Sequence, residues 1–157
     1  MRILGASATG STLWLAVVED GELANSSPYR LEARDGLERG QQLVALLEDC
    51  KRVLVDLAPD YVVVLEPEAT GTFTFRQSRD RVTTEVLLCL AAAQGDIPCA
   101  YVSRPTVKSR LGLGSAGKLV EKVSGALPKP LNPHWKGKRD LAALVAMAVW
   151  KDADAAG

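Results

Sequence analysis

The chain has 157 residues, 47% of them hydrophobic, and its 19 Lys and Arg are matched by 19 Asp and Glu. That length fits one domain, 1–157, with enough apolar sequence for a core of its own. No apolar run approaches the ~20 residues that cross a bilayer and nothing resembles a secretory signal, so no membrane partner is expected. Cys50, Cys89 and Cys99 are odd in number, far apart and in apolar company. They predict buried thiols in a reducing cytoplasm rather than a disulfide framework or a metal cluster. With His134 the single histidine, a metal or catalytic site must be built mainly from carboxylates.

In chain order, Arg2–Ser7 reads as a strand running into the small residues Ala8-Thr9-Gly10-Ser11. Thr12–Val18 is a second strand, and Glu19-Asp20-Gly21-Glu22 supplies a hairpin turn through Asp-Gly. Leu23–Leu31 reads as the third strand of a meander. Leu43, Leu46, Leu47, Cys50, Val53, Leu54 and Leu57 recur at steps of three and four, one face of a helix.

Asp60–Glu66 follows, an apolar, mostly β-branched run between Pro59 and Pro67, which predicts a short strand buried on both faces. It ends in a carboxylate, costly to bury unless a cation, a metal or solvent meets it. Chemistry is therefore expected at Glu66. Phe73 and Phe75, beside Arg76 and Arg79, form a loop suited to stacking bases, or else core. Val82, Val86, Cys89, Leu90 and Ala93 predict a second helix, stopped by Gly95. Ile97–Val102 is a fifth strand.

The remainder reads as helical and basic. Pro105 opens a short segment, and Gly112-x-Gly114 is a hinge or a phosphate cradle. Ser115 is placed to cap a helix over Ala116–Ala126. Pro128–Pro133 makes a loop, and Trp135 beyond it is a candidate exposed aromatic. Leu141, Leu144, Val145, Ala148 and Val149 lie on one face of a last helix, with Asp140 in its first turn. From Arg104 to Arg139 nine Lys and Arg stand against one acid, Glu121. That asymmetry suits a polyanion.

Three antiparallel strands followed by strand–helix units make an α/β protein with a mixed five-stranded sheet flanked by helices. This order resembles the ribonuclease H-like superfamily and, within it, the RuvC-type Holliday-junction resolvases. Ile3-Leu4-Gly5-Ala6-Ser7 resembles that family's first strand, Pro59-Asp60-Tyr61 with Glu66 its central strand and second acidic ligand. Arg104-Pro105-Thr106-Val107-Lys108 with Gly112–Lys118 resembles its basic linker, and Asp140–Leu144 the start of its last helix. The resemblance implies carboxylates converging on two magnesium or manganese ions for phosphodiester hydrolysis. It also implies a nucleic-acid partner, DNA first, and allows a homodimer.

The acidic set is reduced, as in small bacterial proteins of similar pattern. Ser7 stands where the first-strand Asp is expected and Ala143 where the last helix's second acid is. Glu66 and Asp140 remain, with Ser7 as a neutral third ligand and Glu68 as a further acid nearby. The expectation is a nucleic-acid-binding protein with a degenerate metal site, weak or inactive as a nuclease. The alternative is an active divalent-metal nuclease with an altered ligand set. Arg76, Arg104, Lys108, Lys118, Lys122 and Lys138 are the expected nucleic-acid contacts.

Overall fold

The computed structural model describes residues 1–68, 71–127 and 129–157. Strands β1 (Arg2–Thr9) and β2 (Thr12–Glu19) form an antiparallel hairpin closed at Gly10-Ser11, with Thr9 opposite Thr12. Asp20 and Gly21, both at positive φ, turn the chain into β3 (Glu22–Ala24). This is the geometry for which Asp-Gly hairpin turns are selected.

The predicted third strand breaks in two. β3 pairs with the end of β2 and β4 (Arg30–Glu32) with its start. Pro28, which has no N–H to give to a ladder, lies in the gap between them. The sheet thus has six strands, ordered β3-β2-β1-β5-β6, with β4 also on β2. β5 (Tyr61–Leu65) lies centrally, parallel to β1 and to β6 (Cys99–Val102).

Helices cover both faces. α1 (Arg39–Leu57) and α2 (Phe75–Gln94) pack on one side, over Leu4, Ala6, Val62 and Val64. α3 (Arg104–Leu111) and α5 (Asp140–Ala156) pack on the other, over Ile3, Val63 and Leu65. α5 is buried from Asp140 through Ala148. It lies so close to β1 that a Cβ on Gly5 would sit 2.0 Å from the Ala142 carbonyl oxygen, so glycine is required there.

α2 differs from its predicted form. It begins at Phe75, because Thr74 and Gln77 form a reciprocal capping box. Its buried face is Thr84, Glu85, Leu88, Ala91 and Ala92, while Val82, Val86 and Leu90 are exposed. The sequence offers two apolar stripes, and the one with the small residues Ala91 and Ala92 takes the sheet. The helix predicted over Ala116–Ala126 is shorter than expected. It is a 3₁₀ turn, Leu119–Lys122, followed by the single-turn α4 (Val123–Ala126). Gly112, Gly114 and Gly117 all take positive φ ahead of it, which an α-helix does not accommodate. Of the predicted Pro128–Pro133 loop, Pro128 lies outside the described residues. No described helix is long and apolar enough to cross a membrane.

Candidate functional site

The carboxyl ends of β1 and β5 open onto a cleft of about 630 Å³ lined by Gly10, Glu68, Phe73, Arg81, Arg104 and Lys118, among others. Strand carboxyl ends are where open α/β sheets place ligands. Each predicted acidic position can be traced to this end of the sheet.

Ser7 follows Ile3 and Gly5 on the α5 side and is buried, its hydroxyl without a hydrogen-bond partner among the described residues. β1 and β5 pair in register with Ala6 opposite Val64. One step on, Ser7 is opposite Leu65, which is buried in the α5-side core. Glu66 is exposed beyond the strand end. Its N–H donates to the Val102 carbonyl at 2.9 Å, in phase with Val62, whose N–H donates to Pro98. The pleat is therefore maintained, and Glu66 leaves the sheet on the side of Val62 and Val64, towards α2. Its charge is felt there: Glu85 of α2 is raised above its ordinary value by burial first, and Glu66 adds to the rise. The Arg81 guanidinium, 2.9 Å away, opposes it.

Asp140 is buried on the α5 side, and its oxygens already have donors. One accepts from the backbone N–H groups of Lys138 and Leu141, both at 2.8 Å, and the other from Gly137 at 2.9 Å. The carboxylate thus holds the turn at Gly137 and Lys138 against the start of α5, where negative charge is also favoured by the helix dipole. Ala143 is fully buried core. The structure gathers Ser7, Leu65 and Asp140 on one side and sends Glu66 to the other. Among the described residues, no three His, Cys, Asp or Glu side chains come together where they would hold a metal ion.

The predicted cations divide. Arg104 stays at the cleft, half-buried, donating to the Glu66 carbonyl at 3.3 Å and pairing with Glu68 at 3.6 Å. Burial pulls its guanidinium below the ordinary value, Glu68 opposes that, and the charge of Arg81 adds to it. Lys118 is exposed on the cleft wall. Lys122 lies beside Gly114. Lys108 is turned inward, donating to the carbonyls of Ser115 and Gly117, and Lys138 stacks over Trp14. Gly112 is simply the left-handed cap of α3. Trp135 packs against the core, whereas Phe73 and Phe75 are 50% and 84% exposed.

A second group of cations sits past the β1–β2 turn from the cleft. Arg39, Arg76 and Arg79 surround Asp80, at 3.9, 3.9 and 3.0 Å. Arg39 also reaches Thr83 at 3.2 Å, and a pocket beside them includes Ser11 of the turn. Asp35 lines the same pocket, so three guanidiniums stand against two carboxylates, a small excess of positive charge. Arg76 and Arg79 are visible in the sequence as a one-turn pair. Arg39 comes from another helix, and no local pattern announces it.

No protein-family model matches the chain, and no curated protein matches it by sequence. Solved structures do. Thermus thermophilus RuvC in complex with a Holliday junction substrate superposes with a TM-score of 0.75 at 16% identity, covering 99% of this chain and 96% of that one. T. thermophilus RuvC in a separate structure gives 0.74 at 17% identity, covering 99% and 97%. The fold is RuvC-like. It is a RuvC-type ribonuclease H-like α/β fold along nearly its whole length, as the order of elements predicted. At such identity the likeness extends to the fold and not to any residue's role.

Proposed function

We propose that this RuvC-like protein binds nucleic acid, DNA first, through backbone phosphates and lacks the acidic centre for efficient metal-dependent cleavage. The observation that carries the second half is the β1–β5 register. It sets Leu65, not Glu66, beside Ser7, so a neutral hydroxyl and an alkyl chain meet where carboxylates would have to converge. Of the acids predicted for the site, Asp140 has its oxygens engaged by three backbone N–H groups, and Glu68, on the cleft wall, is paired with Arg104. Such a set does not fit two divalent ions, whose mutual repulsion needs several anionic ligands to offset it. No hydrolytic step is therefore assigned to these residues.

Support for binding comes from the cations at the same end of the sheet. Arg104 and Lys118 line the cleft, and Arg39, Arg76 and Arg79 stand beyond the β1–β2 turn. Guanidiniums suit phosphate through their planar donor fork, and the exposed Phe73 on the cleft wall and Phe75 at the start of α2 offer faces for unstacked bases. The T. thermophilus RuvC structure holds a Holliday junction, which makes branched DNA the first ligand to try. The homodimer expected from the resemblance is proposed on the exposed stripe Val82, Val86 and Leu90.

Fluorescence anisotropy with a labelled four-way junction and a matched duplex tests this reading. Binding is expected at low salt, unchanged by EDTA and falling steeply with salt through counterion release. Arg76→Glu with Arg79→Glu should weaken it at least tenfold. Magnesium-dependent cleavage of the junction by the wild-type chain, lost in Asp140→Asn, would overturn it.

A further inference from the structure

Away from the cleft, the contact between the end of α2 and the start of β6 brings two cysteines together. Cys89 and Cys99, both half-buried, hold their sulfurs 2.9 Å apart, with the Cys99 thiol donating to Cys89. A disulfide bond is ~2.05 Å long, so closure needs the sulfurs to approach by under about 1 Å. The hydrogen bond from Cys99 outweighs burial and lowers the Cys89 thiol to about 7. Cys50 contrasts with them: it is fully buried, and burial pushes its thiol up to about 12. The thiolate is the reactive form.

We propose that Cys89 and Cys99 are a reversible dithiol–disulfide site, oxidised by peroxide to a bond that ties α2 to β6. The Cys89 thiolate attacks one peroxide oxygen, the O–O bond breaks, and Cys89 becomes a sulfenic acid as hydroxide leaves and is protonated to water. The Cys99 sulfur then attacks the Cys89 sulfur. The S–S bond forms, the S–OH bond breaks, and the departing hydroxide takes the Cys99 proton as a second water. Two electrons pass from the thiols to the peroxide, and a dithiol such as dithiothreitol returns them. In a reducing compartment such a pair is expected to be oxidised only transiently.

The test uses the full wild-type chain and does not depend on nucleic-acid binding. After brief hydrogen peroxide treatment, the protein is unfolded, alkylated and weighed. The expected product is a monomer with one alkylated thiol, at Cys50, and a peptide map joining Cys89 to Cys99. Dithiothreitol should restore all three thiols. The oxidised chain should also unfold at a higher temperature than the reduced one, since the bond restricts the unfolded chain. In Cys99→Ser the intramolecular link should vanish and Cys89 should instead accumulate as sulfenic acid, trapped by dimedone. Three alkylated thiols after peroxide, a link between two chains, or loss of Cys50 before Cys89 would each overturn the proposal.

Discussion

On the α5 side of the sheet's carboxyl end, Ser7, Leu65, Asp140 and Ala143 are buried, and the one carboxylate among them accepts from three backbone N–H groups. On the α1/α2 side, Glu66 is exposed, Glu85 is raised by burial beneath it, and Arg39, Arg76 and Arg79 stand in solvent around Asp80. The first side has the character of a core, and the second has that of a charged surface. The contrast teaches that this RuvC-like fold faces its last helix with packed core residues and keeps its exposed charge on the opposite face of the sheet.

The packing of α5 on the sheet is most sensitive at Gly5. A side chain there meets the backbone of α5, which cannot move aside as the end of a flexible side chain can. Gly5→Val is expected to cost about 3 kcal/mol or more, the upper range for overpacked cores. Thermal unfolding by circular dichroism reads this directly. A loss under about 0.5 kcal/mol, the scale of an ordinary surface change, would mean that α5 does not lie against β1 as described.

Asp140 sharpens the same side. If its role is to hold the Gly137–Lys138 turn against α5, Asp140→Ala should lose about 2 kcal/mol, the scale for buried donors left without a partner. Asp140→Asn should lose less, since an amide oxygen still accepts from Lys138 and Leu141. Urea denaturation should give the same losses with and without manganese. A loss confined to the manganese series would make Asp140 a ligand.

Rebuilding the acidic set gives a smaller effect but separates Leu65 from Glu66. Ser7→Asp with Leu65→Glu places two carboxylates side by side in register. That variant should be less stable than wild type without metal, because buried like charges repel. Manganese should restore part of the loss as a rise in melting temperature. Ser7→Asp alone, which keeps Glu66, should show no such rise. A rise in Ser7→Asp that Glu66→Gln removes would return Glu66 to the site.

Much of this architecture is legible in the sequence. Period-two runs, the Asp20-Gly21 turn and the heptad-like spacing of Leu43–Leu57 are local signals, and each produces its element. The register between β1 and β5 is not local. Glu66 closes an apolar run and looks like the strand's functional end, yet only the pairing of Ala6 with Val64 shows that Leu65 is the neighbour of Ser7. Val82, Val86 and Leu90 have helical spacing as good as Leu88 and Ala91, and which stripe is buried is decided by how closely small residues let α2 approach the sheet. Arg39 joins Arg76 and Arg79 only through the packing of α1 on α2. Lys108, legible as a cation, is tied by two loop carbonyls that no spacing rule predicts.

The smallest effect is the most specific to the side on which Glu66 lies. Glu85 has its folded pKa raised above the ordinary 4.5, by burial first and with a contribution from Glu66. A carboxyl that holds its proton more tightly when folded favours the native state at low pH. That contribution is complete below the unfolded pKa and is lost as pH rises through the folded one. Glu66→Gln removes one negative charge from the neighbourhood of Glu85 and leaves the Arg81 partner in place. The Glu85 carboxyl, followed by carbon-detected NMR, should then titrate at a lower pH than in wild type. Stability should be slightly higher than wild type at neutral pH and equal to it well below pH 4.5, where Glu85 is protonated in both states. If Glu66 pointed instead towards α5, its charge would lie across the sheet from Glu85 and the Glu85 titration would not move. An unchanged Glu85 curve would therefore reassign Glu66 to the Ser7 side and reopen that side as an acidic centre.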